Sequence, residues 1–355
     1  MKTMRTLSKP GPGPGLELME KPIPQPGRDE VLLRVMATSI CGTDLHIYNW
    51  DGWAEANVKA PLTLGHEFCG EVVEVGPDVI DLKPGDYVAA ESHVFCGTCY
   101  QCRIGNRHIC ENEEIIGIHR DGAFAEYIAF PERCAWKTDR SIPPHVATLQ
   151  EPFGNSVHAT MVQDVSRKRV VVFGCGPTGL FSVAIAKVCG ASQVIAVDVR
   201  DFRLDLAKKI GADLVLDPSK VDLVAEIREQ TGGHGADVVL EMSGNPRAVE
   251  DGLRVLSRGG DFRFFGVPSD RLSIDVARDI IFKGAQVRGI VGRRIYETWF
   301  DATGLLAAGL NLEPLVTHKL PLEDFETAFE LIRDGNCGKI ILYPNGEFAE
   351  APPER

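Results

Sequence analysis

Hydrophobic and polar positions follow two rhythms along the chain. Up to about residue 150 the apolar runs are short and separated by turn signals. Glu30-Val-Leu-Leu-Arg-Val35 alternates well enough for a strand. Gly70 to Val75 and Tyr87-Val-Ala89 follow the same habit, divided by Gly76-Pro77-Asp78 and Lys83-Pro84-Gly85-Asp86. Two Pro/Gly tracts, Pro10 to Gly15 and Pro22 to Gly27, break regular structure near the start. Many short strands with Gly/Pro turns predict a barrel-like, all-β region.

The rhythm then changes. Arg169-Val-Val-Val-Phe-Gly174 and Gln193-Val-Ile-Ala-Val-Asp198 are apolar on both faces, as strands buried in a parallel sheet are. A helix-length stretch, Gly179 to Gly190, lies between them. The alternation continues through Ala207 to Leu216, Ala236 to Met242, Ala248 to Leu256 and Phe262 to Val267. It predicts βαβ units and a doubly wound parallel sheet over roughly 155–297. Beyond Trp299 the pattern predicts helices at Ala302 to Ala308 and Glu323 to Arg333, then a strand, Gly338 to Tyr343. That strand has to pair outside the parallel sheet. Pro344 to Arg355 reads as loose surface chain, and there is no internal repeat. The expected fold class is therefore α/β, with a β-rich domain of residues 1–153 continued by 298–355 and a parallel-sheet domain of 154–297.

Composition narrows the function. At 355 residues, two cores are expected. With 44% hydrophobic and 25% charged residues, the chain is of ordinary globular type. A net charge of −12 argues against a nucleic-acid or anionic-membrane partner. The longest uncharged stretch, Val170 to Ala186, is broken by Gly174, Gly176, Pro177 and Gly179, so it does not serve as a membrane span of ~20 apolar residues. The N-terminus lacks the apolar core of a secretory signal, so a cytoplasmic location is expected. There, ten cysteines suggest metal ligands or thiols before disulfides.

Gly174-Cys-Gly176-Pro-Thr-Gly179 fits G-x-G-x-x-G, directly after a buried strand and at the start of a helix. Glycines suit a tight turn, close approach to a pyrophosphate and close helix–strand packing, and free N–H groups at the helix start bind the anion. Asp198 ends the next strand, placed to accept from both ribose hydroxyls. It would repel a 2′-phosphate, which favours NAD over NADP, although Arg200 and Arg203 nearby soften the discrimination. Cys96-x2-Cys99-x2-Cys102-x7-Cys110 is spaced for four thiolates on one ion. That set leaves no position for substrate and indicates a structural zinc, with an iron–sulfur cluster as the rival.

Cys41-Gly-Thr43-Asp44-Leu-His46 and Gly65-His66-Glu67 hold the other candidate ligands, and Glu151 could add a carboxylate or relay protons. Taken singly, Cys41 fits a small core residue, His66 a strand-end histidine and Glu151 a helix cap. Together, beside a cysteine cluster and a nucleotide fold, they point to a zinc centre with an open position.

These motifs resemble the zinc-containing medium-chain dehydrogenase/reductase superfamily over nearly the whole chain. Cys41-Gly-Thr-Asp-Leu-His-Ile-Tyr-Asn-Trp50-Asp51, Glu151-Pro-Phe-Gly-Asn-Ser-Val-His158, Glu241-Met-Ser-Gly244 and Tyr296-Glu-Thr-Trp299 are similar to the branch that oxidises L-threonine with NAD. The resemblance implies a GroES-like catalytic domain and a Rossmann domain with the cofactor in the cleft. It implies Cys41, His66 and Glu67 as catalytic zinc ligands, Thr43 and His46 as a proton relay, and Glu151 as an acid assisting it. Cys96, Cys99, Cys102 and Cys110 match the structural zinc lobe, giving two zinc ions per subunit. Thr178, Asp198, Arg203, Phe265, Gly266, Val267, Ile290 and Val291 match positions lining NAD, and His93 one near the substrate. A homotetramer is implied, with Gly284 to Val291 as a contact edge. Cys175, Thr178, the glutamate at 151 and the tract at 10–15 depart from the usual pattern. A polyol or secondary-alcohol dehydrogenase and a non-enzymatic NAD-binding protein are the alternatives.

Overall fold

In a computed structural model the described residues are 2–268 and 270–346. The expected loose tail lies, from residue 347 onward, outside them. The chain divides into two compact units, Met1–Pro152 with Val316–Arg355, and Phe153–Leu315.

The first unit is built on a mixed sheet. Its strands run in the order Ala135–Lys137, Tyr87–Ala90, Glu67–Val75, Glu30–Ser39, Lys339–Tyr343 and Val316–Pro321, with Tyr127–Pro131 also paired to Glu30–Ser39. Alternation in Glu30–Ser39 sends Val31, Leu33 and Val35 inward, where they meet Phe68, Val72, Val88, Ile128 and Phe130. The strand Lys339–Tyr343, buried along its length, pairs with Glu30–Ser39 and Val316–Pro321 and so lies outside the parallel sheet, as anticipated. Its neighbour Val316–Pro321 was not anticipated. Thr, His, Lys and a terminal Pro mask its strand character, and it closes one end of the sheet.

The Pro10–Gly15 tract does not leave the N-terminus irregular. It joins an antiparallel pair, Thr3–Lys9 with Glu17–Pro22, in register from Thr3↔Pro22 to Ser8↔Glu17. Periodicity missed this hairpin because polar Thr6, Ser8 and Lys9 are buried alongside apolar Met4 and Leu7, which blurs the alternation. Thr6, Ser8 and Thr63 are buried and hydrogen-bond one another through their hydroxyls.

The second unit is a six-stranded, wholly parallel sheet. Its order is Leu214–Leu216, Gln193–Val197, Arg169–Phe173, Ala236–Glu241, Leu256–Phe264, Gln286–Gly289, the doubly wound arrangement. Val171, Phe173, Ile195, Val197, Val239, Leu253 and Phe262 form one apolar cluster. Each such side chain contributes roughly 1.5–3 kcal/mol on burial. The helix Glu297–Ala307 belongs to this unit, so the chain rejoins the first unit at 316 and not at the expected 298. The helix buries Thr298, Trp299, Ala302 and Leu305, and the next strand to pair in the first unit is Val316–Pro321. Among the described residues no helix is long and apolar enough to cross a membrane.

Candidate functional site

Strand pairing brings the first constellation together. Ser39 lies opposite Glu67 in the antiparallel pair Glu30–Ser39 with Glu67–Val75, so the residues just beyond each end converge. Cys41 then caps the helix Gly42–Asn49, with extended backbone and its N–H donated to Asp44 Oδ2 at 2.9 Å. Gly65 turns the chain into His66 at φ +94°, where a Cβ would lie 2.3 Å from the Phe124 ring, so only glycine fits. One ligand atom from each of Cys41, His66 and Glu67 falls within 4.8 Å of the others.

What surrounds these three side chains suits a dication. His66 Nδ1 faces Asp44 Oδ1 at 3.8 Å, and both atoms are buried with no hydrogen-bond partner. This is a carboxylate–histidine pair with the ring's other nitrogen left for a ligand. Burial lifts the Asp44 carboxyl above its usual range, despite the His66 charge. Burial alone would depress His66, but Asp44 and Cys41 outweigh it and raise the imidazole to about 10. Proton and metal ion thus compete for a site whose field calls for a cation.

Glu67 is held from behind. Its Oε2 accepts from Ser39 Oγ and from Lys339 Nζ, and Lys339 Nζ also donates to Ile40 O at 2.9 Å. Lys339 is 2% exposed. Burial opposes its charge, but Glu67 and Cys41 outweigh that and hold its pKa above the ordinary value. Sequence reasoning missed this residue. The available signal was a lysine opening the otherwise apolar run Lys339-Ile-Ile-Leu-Tyr343.

The remaining polar candidates fall into two groups, of which the second forms a hydrogen-bonded chain. Thr43 Oγ1 is 3.7 Å from Cys41 Sγ. His46, in the last turn of the same helix, places Nδ1 2.5 Å from Asp51 Oδ2, and its side chain is 57% exposed, an outlet to solvent. Asp51 lies below the usual carboxylate range through that hydrogen bond, and its Oδ1 caps the next helix by accepting from Trp53 and Ala54 N–H. In the second group Ser92 Oγ donates to Glu151 Oε1 at 2.5 Å and lies 3.3 Å from His93 Nδ1. His93 Nδ1 is also 3.1 Å from Glu91 Oε1. Ser92 and Glu91 were not singled out by sequence, and Asp51 entered only as the last residue of the Cys41–Asp51 string without a role, because hydroxyls and carboxylates there carry no spacing signature.

Cys96, Cys99, Cys102 and Cys110 bring their sulfurs within the same 4.8 Å limit, and all four are free thiols. The Thr98 and Cys99 N–H groups donate to Cys96 Sγ at 3.4 and 3.3 Å and help to lower that thiol to about 5. Hydrogen bonding, led by the Cys102 N–H, also lowers Cys99, whereas burial raises Cys110 and pushes Cys102 up to about 12. Ionising all four together requires a cation among them.

In the second unit the glycine loop lies where the motif predicts. Gly174 has φ +88° directly after Arg169–Phe173, and the helix Pro177–Val188 starts at the Gly176 cap. A Cβ on Gly179 would come 1.8 Å from Gly174 O, so helix and turn meet only because residue 179 is glycine. Asp198 receives the Cys175 N–H on Oδ2 at 2.7 Å and the Arg200 N–H on Oδ1 at 2.9 Å, with Arg203 Nη1 3.8 Å away. Asp198, Arg203, Gly174 and Ser243 line a cavity of about 360 Å³, and Arg203 Nε is buried there without a partner. Thr178 lies in the first helical turn, its carbonyl taken by Ser156 and Ser182. Phe265, Gly266 and Val267 follow the strand Leu256–Phe264, and Ile290 and Val291 follow Gln286–Gly289, all at the carboxyl ends of the sheet. Val267 and Val291 are exposed, while Ile290 is buried. The Glu241-Met-Ser-Gly244 string forms a loop in which Glu241 Oε1 accepts from the N–H groups of Ser243 and Gly244.

Comparison with known proteins agrees with both halves. Residues 27–140 match the alcohol dehydrogenase GroES-like domain and residues 177–308 the zinc-binding dehydrogenase domain. An L-threonine 3-dehydrogenase of Caldanaerobacter subterraneus is 48% identical over 93% of this chain and 96% of its own. One of Symbiobacterium thermophilum is 48% identical over 97% and 99%. A putative zinc-binding dehydrogenase of Sinorhizobium meliloti, solved with NADP, superposes with TM-score 0.90 at 30% identity over 97% of this chain and 100% of its own. With the two-unit α/β architecture and relatives matched almost end to end, the chain belongs to the zinc-binding dehydrogenases and, among them, to the L-threonine 3-dehydrogenase family.

Proposed function

We propose that the protein oxidises the secondary alcohol of L-threonine with NAD, giving 2-amino-3-oxobutanoate and NADH. The observation that carries this reading is the convergence of Cys41, His66 and Glu67, with Asp44 behind the histidine. In it Cys41, His66 and Glu67 hold a zinc ion, which when bound supplies a Lewis acid that favours the ionised hydroxyl. Asp44 fixes the ring of His66 so that one nitrogen stays free for the ion. Thr43 relays the proton leaving the substrate hydroxyl, accepting it as its own hydroxyl proton is released towards His46, which passes it to solvent and is kept in orientation by Asp51. Glu151, joined through Ser92 to His93, assists proton movement and, with His93, orients the zwitterionic amino acid.

Residues 1–153 with the returning C-terminal segment make up the catalytic domain, and the parallel-sheet unit makes up the NAD domain. Asp198 accepts from the ribose hydroxyls, which supports NAD, and Arg203, Thr178 and the segments 265–267 and 290–291 line the rest of the cofactor. The four-cysteine cluster holds a second, structural zinc, whose thiols, pushed in opposite directions, need a cation to ionise together. A cytoplasmic homotetramer completes the reading. The terminal strand of the parallel sheet, Gln286–Gly289, offers an edge unpaired among the described residues within the expected contact segment 284–291.

The test is NADH formation by purified protein offered L-threonine, sorbitol or 2,3-butanediol. Threonine should be preferred, and dialysis against a chelator should abolish turnover until zinc is restored. Turnover of the polyol or diol but not of threonine would replace this reading with the polyol or secondary-alcohol one. No turnover of any of the three with zinc restored would favour a non-enzymatic NAD-binding protein.

A further inference from the structure

Lys339 is an unexpected neighbour for a dication. Its ammonium is buried, it hydrogen-bonds a carboxylate of the candidate ligand set, and its own strand is otherwise apolar. A buried cation beside a divalent ion raises the energy of both. It is the one charged residue on a strand whose other four residues are buried and uncharged. We propose that Lys339 is a positioning residue that competes with the metal for Glu67 and so keeps the metal weakly neutralised and its open position exchangeable. The proposal rests on the zinc reading above.

The geometry gives the reason. Glu67 has two carboxylate oxygens, and Oε2 is taken by two donors, Ser39 Oγ and Lys339 Nζ. A carboxylate whose Oε2 already accepts two hydrogen bonds would meet an ion as a less basic ligand. The Ile40 carbonyl gives the ammonium a second, backbone partner that holds it in place. Cys41 and Glu67 together would cancel the charge of a divalent ion, and Lys339 withholds part of that cancellation. Asp44 and Glu151 are further carboxylates whose charge reaches Lys339. A ligand held in this way yields more readily to an incoming alcohol oxygen.

The experiment is zinc competition with a chelator on the full-length protein, with threonine kinetics alongside. Lys339→Met keeps the length of the side chain and removes its charge. At an effective dielectric near 20, losing a unit charge this close should tighten zinc at the Cys41 site by about tenfold or more. In the same variant kcat should fall more than KM changes, and Lys339→Arg should restore both. Tightening with those changes supports the proposal. Zinc affinity unchanged or weakened in folded Lys339→Met overturns it, because a purely structural lysine lowers stability without tightening the metal. If Lys339→Met does not fold, Ser39→Ala removes the other donor from the same oxygen and should tighten zinc by about two- to threefold, and no change there overturns the proposal equally. Cys41→Ser separates the two levels. If it loses no zinc relative to the parent, the zinc reading itself has failed.

Discussion

Asp198 gives the sharpest quantitative test of the cofactor site. Its two oxygens are each committed to one backbone N–H, from Cys175 at 2.7 Å and Arg200 at 2.9 Å, leaving lone pairs on both for a ribose diol. Hydrogen bonds to a charged group contribute about 1.5–3 kcal/mol, or roughly 10–100-fold in affinity. Asp198→Ser keeps an acceptor for one N–H and removes the charge, so NAD should lose one to two orders of magnitude in kcat/KM. The same change removes a repulsion from a 2′-phosphate and leaves Arg203, whose Nε has no partner and whose Nη1 now lies 3.8 Å from Asp198, free to meet one. NADP should therefore improve about tenfold, and the NAD/NADP ratio of kcat/KM should shift by about 10²–10³ overall. The assay is initial rates at saturating threonine with each cofactor, with a thermal melt to confirm folding. A folded variant with an unchanged ratio would falsify the assignment of Asp198 to the ribose.

Four further outcomes follow from the structure. Asp44→Asn turns an amide toward His66 Nδ1 and should weaken zinc at the Cys41 site by about 10–100-fold, read by chelator competition. Cys102→Ser should lower the zinc content by one ion per chain, measured by metal analysis, and lower the melting temperature while leaving Cys41, His66 and Glu67 in place. Leu253→Ala, at a position 1% exposed in the parallel-sheet core, should cost about 2–5 kcal/mol in urea unfolding. Asp237 is held below the usual carboxylate range, first by its hydrogen bond from Arg169, so its stabilisation is complete above the unfolded carboxylate pKa and is lost as pH falls through the lower folded value. Asp237→Asn should accordingly cost on the order of 1 kcal/mol at neutral pH and flatten that acid loss, and an unchanged acid limb would count against the pairing.

The parallel-sheet unit was the most legible part of the chain. Its strands are apolar on both faces, and the glycine loop is a local device read from six adjacent positions. The four cysteines were equally plain, since their spacing is itself the geometry. The first unit was harder to read. Thr6 and Ser8 satisfy one another on a buried face, so the N-terminal hairpin carries no apolar period. Cys41, His66 and Glu67 could be named from sequence, but what joins them is the Ser39↔Glu67 register, a non-local fact. The supporting residues were the least visible. Lys339, Ser92 and Asp51 act through hydrogen bonds to partners far along the chain or in turns, and no periodicity marks such positions.

The closing strand of the mixed sheet has a consequence for biosynthesis. Lys339 reaches back 299 residues to the Ile40 carbonyl, and the strand it opens pairs at Ile341 with Ser39. A ribosome adding about 5–20 residues per second exposes the early thiolate and imidazole for roughly 15–60 s before that strand emerges. The nascent N-terminal half therefore waits with an unpaired sheet edge and an unclamped carboxylate while the intervening nucleotide-type module completes its own largely local fold. Emergence of that strand, and not emergence of the ligands, sets the earliest moment at which the centre can mature.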